Sequence, residues 1–122
     1  MAYFYSKDSR KIRGRINEIK LAQKLGKSGW RLIIHDWLPP RNSGAGQVDL
    51  VMESPQKIYW IFEVKTLDRP DNGEIPIIHP DQLFRLKKSV LHWESKLGRS
   101  VNFAIALFYE SQGRVEFLKN PW

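Results

Sequence analysis

The stretch from 47 to 65, Gln47-Val48-Asp49-Leu50-Val51-Met52-Glu53-Ser54-Pro55-Gln56-Lys57-Ile58-Tyr59-Trp60-Ile61-Phe62-Glu63-Val64-Lys65, reads as two strands and a turn. Residues 48–52 and 58–65 are rich in β-branched and aromatic side chains, and Ser54, Pro55 and Gln56 between them supply turn chemistry. With the turn centred on Gln56, residues whose numbers sum to 112 face each other, so Asp49 meets Glu63. Side chains at i and i+2 share a face of a strand, so Glu63 and Lys65 point the same way. Two carboxylates placed opposite each other have Cβ atoms about 5 Å apart and repel. A divalent cation between them turns repulsion into coordination, because hard cations take oxygen ligands. The plainer alternative is a surface ion pair between Glu63 and Lys65.

Outward from the hairpin, residues 12–26 read as a helix, with Ile12, Ile16, Ile19, Ala22 and Leu25 at spacings of three and four and Gly26 as a stop. Glu18 falls between Ala22 and Leu25, inside that apolar arc, where a charge needs a partner: a metal cluster on the adjoining sheet, or a buried Lys or Arg. Arg13, Lys20, Lys24 and Lys27 form a stripe pointing away from Glu18. Residues 30–37 read as a strand, followed by a loop forced by Pro39, Pro40, Gly44 and Gly46. After the hairpin, 68–73 is a polar loop. Pro80 opens a second helix that ends at Gly98, with Leu83, Leu86, Val90, Trp93 and Leu97 as its core stripe. Residues 101–109 are a strand, and Gln112-Gly113 turns the chain into a short strand at 115–118. The expected class is α/β: helix, three-strand meander, helix and one or two strands, in a mixed sheet flanked by helices.

Composition sets the outer bounds. The chain has 122 residues, 42% hydrophobic and 27% charged, which suits one packed domain. No apolar run spans a bilayer and no secretory signal is visible in 1–15, so a cytoplasmic, non-membrane protein is expected. With no cysteine, disulfides, thiolate metal sites and cysteine nucleophiles are excluded. The net charge of +7 lies wholly in residues 1–31, and suggests a polyanionic partner. A solvated basic face is the bland alternative.

Taken together, Glu18, Asp49 and Glu63-Val64-Lys65 on these elements resemble the PD-(D/E)XK nuclease superfamily, with a restriction-endonuclease-like core matching about 12–110. Within it, the chain is similar to the small YraN-like proteins, themselves similar to Holliday-junction resolvases. Gly14, Glu18, Ala22, Leu25, Gly29 and Trp30 follow that group's Gly-x3-Glu-x2-Ala-x2-Leu-x3-Gly-aromatic opening. Gly46-Gln47-Val48-Asp49-Leu50 looks like its Gly-Glu-Ile-Asp-Leu segment, and Phe62-Glu63-Val64-Lys65-Thr66 like its Phe-Val-Glu-Val-Lys-Thr strand end. Two departures stand out: Gln47 replaces a glutamate two residues before Asp49, and Phe62 directly precedes Glu63.

The resemblance implies that Asp49, Glu63 and the Val64 carbonyl bind Mg2+ or Mn2+, with Glu18 joining through water or a second ion. Lys65 would orient or help deprotonate the attacking water, and Gln82, early in the second helix, would reach the site. The activity implied is metal-dependent endonucleolytic hydrolysis of DNA, with RNA left open. A nucleic-acid-binding module without turnover, for which Gln47 speaks, and an interaction protein recruiting acidic partners are the alternatives. Lys11, Arg15, Arg41, Arg85, Lys88 and Lys96 are candidate phosphate contacts. Phe84 and Leu91, off the core stripe, suggest an extra covering segment or a subunit contact, and a symmetric homodimer would suit a two-armed DNA junction. His35, His79 and His92 show no metal-ligand spacing and read as structural or surface residues.

Overall fold

The computed structural model describes residues 2–67 and 78–122, with side chains from Ile12 onward; Lys11 as a phosphate contact and the expected loop at 68–73 lie outside the described residues. The elements run α1 (Ala2–Gly26), β1 (Arg31–Trp37), β2 (Val48–Glu53), β3 (Tyr59–Leu67), α2 (Pro80–Leu97), β4 (Val101–Tyr109) and, after a single 3-10 turn at Glu110–Gln112, β5 (Arg114–Lys119). The strands form one sheet in the order β1-β2-β3-β4-β5, antiparallel except for the parallel β3–β4 pair bridged by the α2 crossover.

The hairpin register is the expected one. Leu50 faces Phe62, Val51 faces Ile61 and Met52 faces Trp60. The turn closes through Ser54 N–H to the Ile58 carbonyl at 2.8 Å and Lys57 N–H to the Ser54 carbonyl at 2.9 Å, with Lys57 in a left-handed conformation at φ 67°. Alternation along β2 and β3 then sorts the core into two layers. Leu50, Met52, Phe62, Ala104 and Ala106 pack with Leu21 of α1, whereas Val51, Ile61, Phe103, Ile105 and Leu107 pack with Leu86, Val90 and Trp93 of α2.

α2 has the expected bounds and the expected stripe. His79 caps its start by accepting from Asp81 N–H at 3.2 Å, and Gly98 ends it in the left-handed region at φ 69°. α1 departs from expectation in two ways. It begins at Ala2, not near 12, and its isoleucines do not reach the core: Ile12, Ile16 and Ile19 are 58%, 45% and 47% exposed. The cause is helical drift. Each step of three residues advances about 300°, so Ile16 and Leu25, nine residues apart, end up on opposite sides. The face that docks carries Asn17, Glu18, Leu21, Ala22 and Leu25, and Asn17 Nδ2 donates to Thr66 Oγ1 at 2.8 Å, tying α1 to the end of β3.

Candidate metal centre

The site forms where the β2–β3 ladder opens. Beyond the Leu50–Phe62 pair, the Val64 N–H donates to Asp49 Oδ2 at 2.8 Å, so a carboxylate stands in for a backbone acceptor. One residue beyond the Leu50–Phe62 pair, Asp49 and Glu63 lie close enough that each carboxyl acts on the other's protonation. Glu63 Oε1 also accepts from Gln82 Nε2 at 3.1 Å and lies 3.4 Å from the Lys65 ammonium. Gln82 is therefore brought to the carboxylates by the first turn of α2. From the other face of the sheet, α1 delivers Glu18, whose carboxyl feels the charge of Asp49.

Together with Gly14, Arg15, Gly46, Gln47, Asp81, Arg85 and Leu86, these acids line an open cleft of about 730 Å3. The loop that forms one wall is stitched to α2. Gly46 N–H is shared between the Arg85 carbonyl at 3.0 Å and Ser89 Oγ at 2.9 Å, and the Ser89 hydroxyl contacts the Gly46 carbonyl at 2.7 Å. The approach is close: a Cβ on Gly46 would meet Arg85 Cβ at 3.2 Å, tight enough that Arg85 would have to give.

Charge in the cleft is out of balance. Burial and the neighbouring Asp49 raise the Glu63 carboxyl from 4.5 to about 8, and burial with Asp49 raises Glu18 to about 7. Asp49 is also raised, chiefly by burial, against the opposing pull of the Val64 N–H. Glu53, equally buried at the far end of β2, marks the contrast. Arg31 at 3.1 Å, Arg99 at 3.9 Å and Lys57 at 4.0 Å surround it. Among the described residues, Glu18, Asp49 and Glu63 have only the Lys65 ammonium and the His35 ring within ion-pair distance.

His35, read from sequence as structural or surface, is the hydrogen-bond partner of Glu18. Its Nε2 lies 2.8 Å from Glu18 Oε1 and 3.6 Å from Asp36 Oδ2. Glu18, His35 and Asp36 offer ligand atoms all within 4.8 Å of one another, a set able to hold a metal ion. Asp36, the residue after His35, takes a left-handed backbone at φ 56° and lines the cleft. Among the described residues, the hydrogen-bond partner of Glu18 is thus an imidazole on β1, where a metal cluster or a buried Lys or Arg was expected. His79 also lines the cleft besides capping α2, while His92 stacks near Trp37 at 5.3 Å and stays structural.

Of the expected phosphate contacts with described side chains, Arg15 and Arg85 line the cleft, and Arg15 lies 4.0 Å from Asp36. Arg41, Lys88 and Lys96 do not line it. Lys88 and Lys96 instead place their ammonium groups over the Phe84 and Trp93 rings at 4.8 and 5.1 Å. Lys65 reaches Glu63 without forming part of the wall. Comparison with protein-family models and with curated proteins gives no match for this chain.

Proposed function

We propose that the chain is a metal-dependent phosphodiesterase of the PD-(D/E)XK type that hydrolyses DNA with Mg2+ or Mn2+. The observation that carries this reading is the pairing of half-buried Asp49 with buried Glu63, beside a single amine and facing an open, arginine-rimmed cleft. Its charge imbalance fits a bound cation, and the all-oxygen donor set of Asp49 and Glu63 suits a hard one. The Val64 carbonyl leaves β3 on the same edge as the N–H that meets Asp49, and so joins that set. When bound, such an ion activates water as a nucleophile and neutralises charge on the phosphate in transit.

The chain's own residues do the rest. Lys65, 3.4 Å from Glu63, opposes the upward pull of burial and Asp49 on that carboxyl and would supply a compact positive charge beside the attacked phosphorus. Gln82 fixes the Glu63 rotamer through Nε2 and leaves its carbonyl oxygen free to orient water. His35 orders Glu18, and the Glu18–His35–Asp36 set would take a second ion or a water bridging to it. Arg15 and Arg85 at the rim can grip phosphates on either side, contacts that position the backbone without reading bases.

Labelled linear duplex, single-stranded and four-way-junction DNA, each incubated with Mg2+, Mn2+ or EDTA, test the proposal. We expect cleavage that EDTA abolishes and that Asp49→Ala reduces by about 1,000-fold or more, since the ion supplies several kcal/mol to the transition state. Cleavage surviving both Asp49→Ala and Lys65→Ala would overturn it. Binding without cleavage would favour a non-catalytic module, a reading that exposed Gln47 on the cleft wall supports.

A further inference from the structure

The face of the sheet covered by α1 carries a second concavity. Leu25, Trp30, Trp60, Phe62, Ala104, Phe117 and Lys119 enclose about 220 Å3, room for one flat ring system. Trp60 and Phe62 lie parallel, 8° apart in plane with centroids at 6.0 Å, and Trp30 leans on both at 6.1 and 5.8 Å. Phe117 closes the other side at 5.6 Å from Phe62 while staying 37% exposed. Trp30 and Trp60 are only half-buried as well, whereas the neighbouring Leu21, Leu50 and Met52 are fully buried. A core with no other duty gains from closing over rings of this size, which carry the largest apolar area of any side chains. One cation lines the pocket: Lys119 sets its ammonium 5.9 Å from the Trp60 ring centre.

We propose that this pocket takes one unpaired nucleobase of DNA, stacked against Trp30, Trp60 and Phe117, with Lys119 on the adjoining phosphate. Aromatic rings interleaved with ammonium groups are the chemistry that holds single strands, because every base has a π face and every nucleotide a charge. The position suits a strand that also enters the metal centre. Along α1, Leu25 lies seven residues from Glu18 on the same helix face, about 10 Å at the helical rise. The inference rests on the nuclease reading for its biological setting and names the substrate class: DNA with a flap, gap or frayed end, in preference to a fully paired duplex.

The test is made in EDTA, so that it does not depend on turnover. Fluorescence anisotropy is read for a labelled oligothymidylate and for a blunt duplex of equal length, with the wild-type chain, Phe117→Ala, Phe117→Tyr and Lys119→Ala. We expect Phe117→Ala to weaken oligothymidylate binding about tenfold and duplex binding less than twofold, with Phe117→Tyr restoring the single-strand affinity. Lys119→Ala should weaken single-strand binding and lower its salt dependence. Circular dichroism spectra of the variants verify folding, and a 5-iodouracil oligonucleotide should photocrosslink to peptides containing Trp30, Trp60 or Phe117. Equal losses for both DNAs, no effect of Phe117→Ala, or crosslinks confined to the acidic cleft would each overturn the inference. Failure to cleave in Mn2+ would instead strike the nuclease reading and leave these measurements standing.

Discussion

Glu63 shows how far one residue's surroundings can be pressed. Its carboxyl and that of Glu18 carry folded-state pKa values of about 8 and about 7, above the ordinary 4.5, because burial and Asp49 disfavour their charge. A group raised on folding contributes stability that is full below its unfolded value and is lost as pH climbs through the folded one. The metal-free protein should therefore lose several degrees of Tm between pH 5 and pH 8, followed by thermal denaturation in EDTA. Glu63→Gln should flatten that slope and stabilise the metal-free chain at pH 8. Mn2+ should flatten it in the wild type by binding the ionised carboxylates. A Tm that holds or rises across this range in EDTA would count against the electrostatic reading. Glu53 serves as the internal control: with Arg31, Arg99 and Lys57 around it, its removal should destabilise at pH 8, not stabilise. Asp49, Glu63 and Lys65 were legible because strand alternation and a turn centre fix which side chains meet. His35 was not, since its tie to Glu18 links residues 17 apart on two elements whose packing angle no local pattern encodes.

At the scale of elements, the seam between the 38–47 loop and α2 decides how the cleft is held open. Ser89 is fully buried and satisfies both polar groups of Gly46, so Ser89→Ala strands the Gly46 carbonyl. The expected cost is about 1–3 kcal/mol in urea denaturation, with an unchanged m-value. Gly46→Ala should cost less, because its Cβ would meet only Arg85 Cβ tightly, at 3.2 Å, while the α2 backbone stays at ordinary contact distance. An unaltered midpoint in both variants would mean that the seam is not what holds the loop. From sequence, Ser89 lies at the edge of a helix stripe and Gly46 reads as loop flexibility. Their meeting depends on how α2 lies across the sheet. The first helix teaches the complementary lesson. Counting threes and fours from Ile12 to Leu25 overlooks the 60° lost at each step of three, and only the docked face separates partly buried Ala22 and Leu25 from the three exposed isoleucines.

At the scale of the whole molecule, an acidic cleft sits within a chain of net charge +7. The two are compatible if phosphates are gripped by Arg15 and Arg85 at the rim while the acids below await a cation. DNA affinity measured in EDTA should then fall tenfold or more between 50 and 200 mM salt, as counterion release demands. Adding Mn2+ at fixed salt should tighten binding by relieving repulsion between the carboxylates and the phosphate backbone, and Asp49→Ala should remove that metal effect. No described helix is long and apolar enough to cross a membrane.

The sequence by itself determined the order of elements, the register of the hairpin and the meeting of Asp49 with Glu63, because periodicity and turn geometry are local and act over a few residues. It also determined that a buried glutamate on α1 needs a partner, since an ionised side chain among apolar neighbours is costly wherever the helix lands. Only the tertiary structure decided who that partner is, which arginines reach the rim, and that four aromatic rings from the α1–β1 turn, β3 and β5 converge on one pocket. Those facts arise from packing two helices on opposite faces of a twisted sheet, where the side chains that touch are set by the fit of whole surfaces.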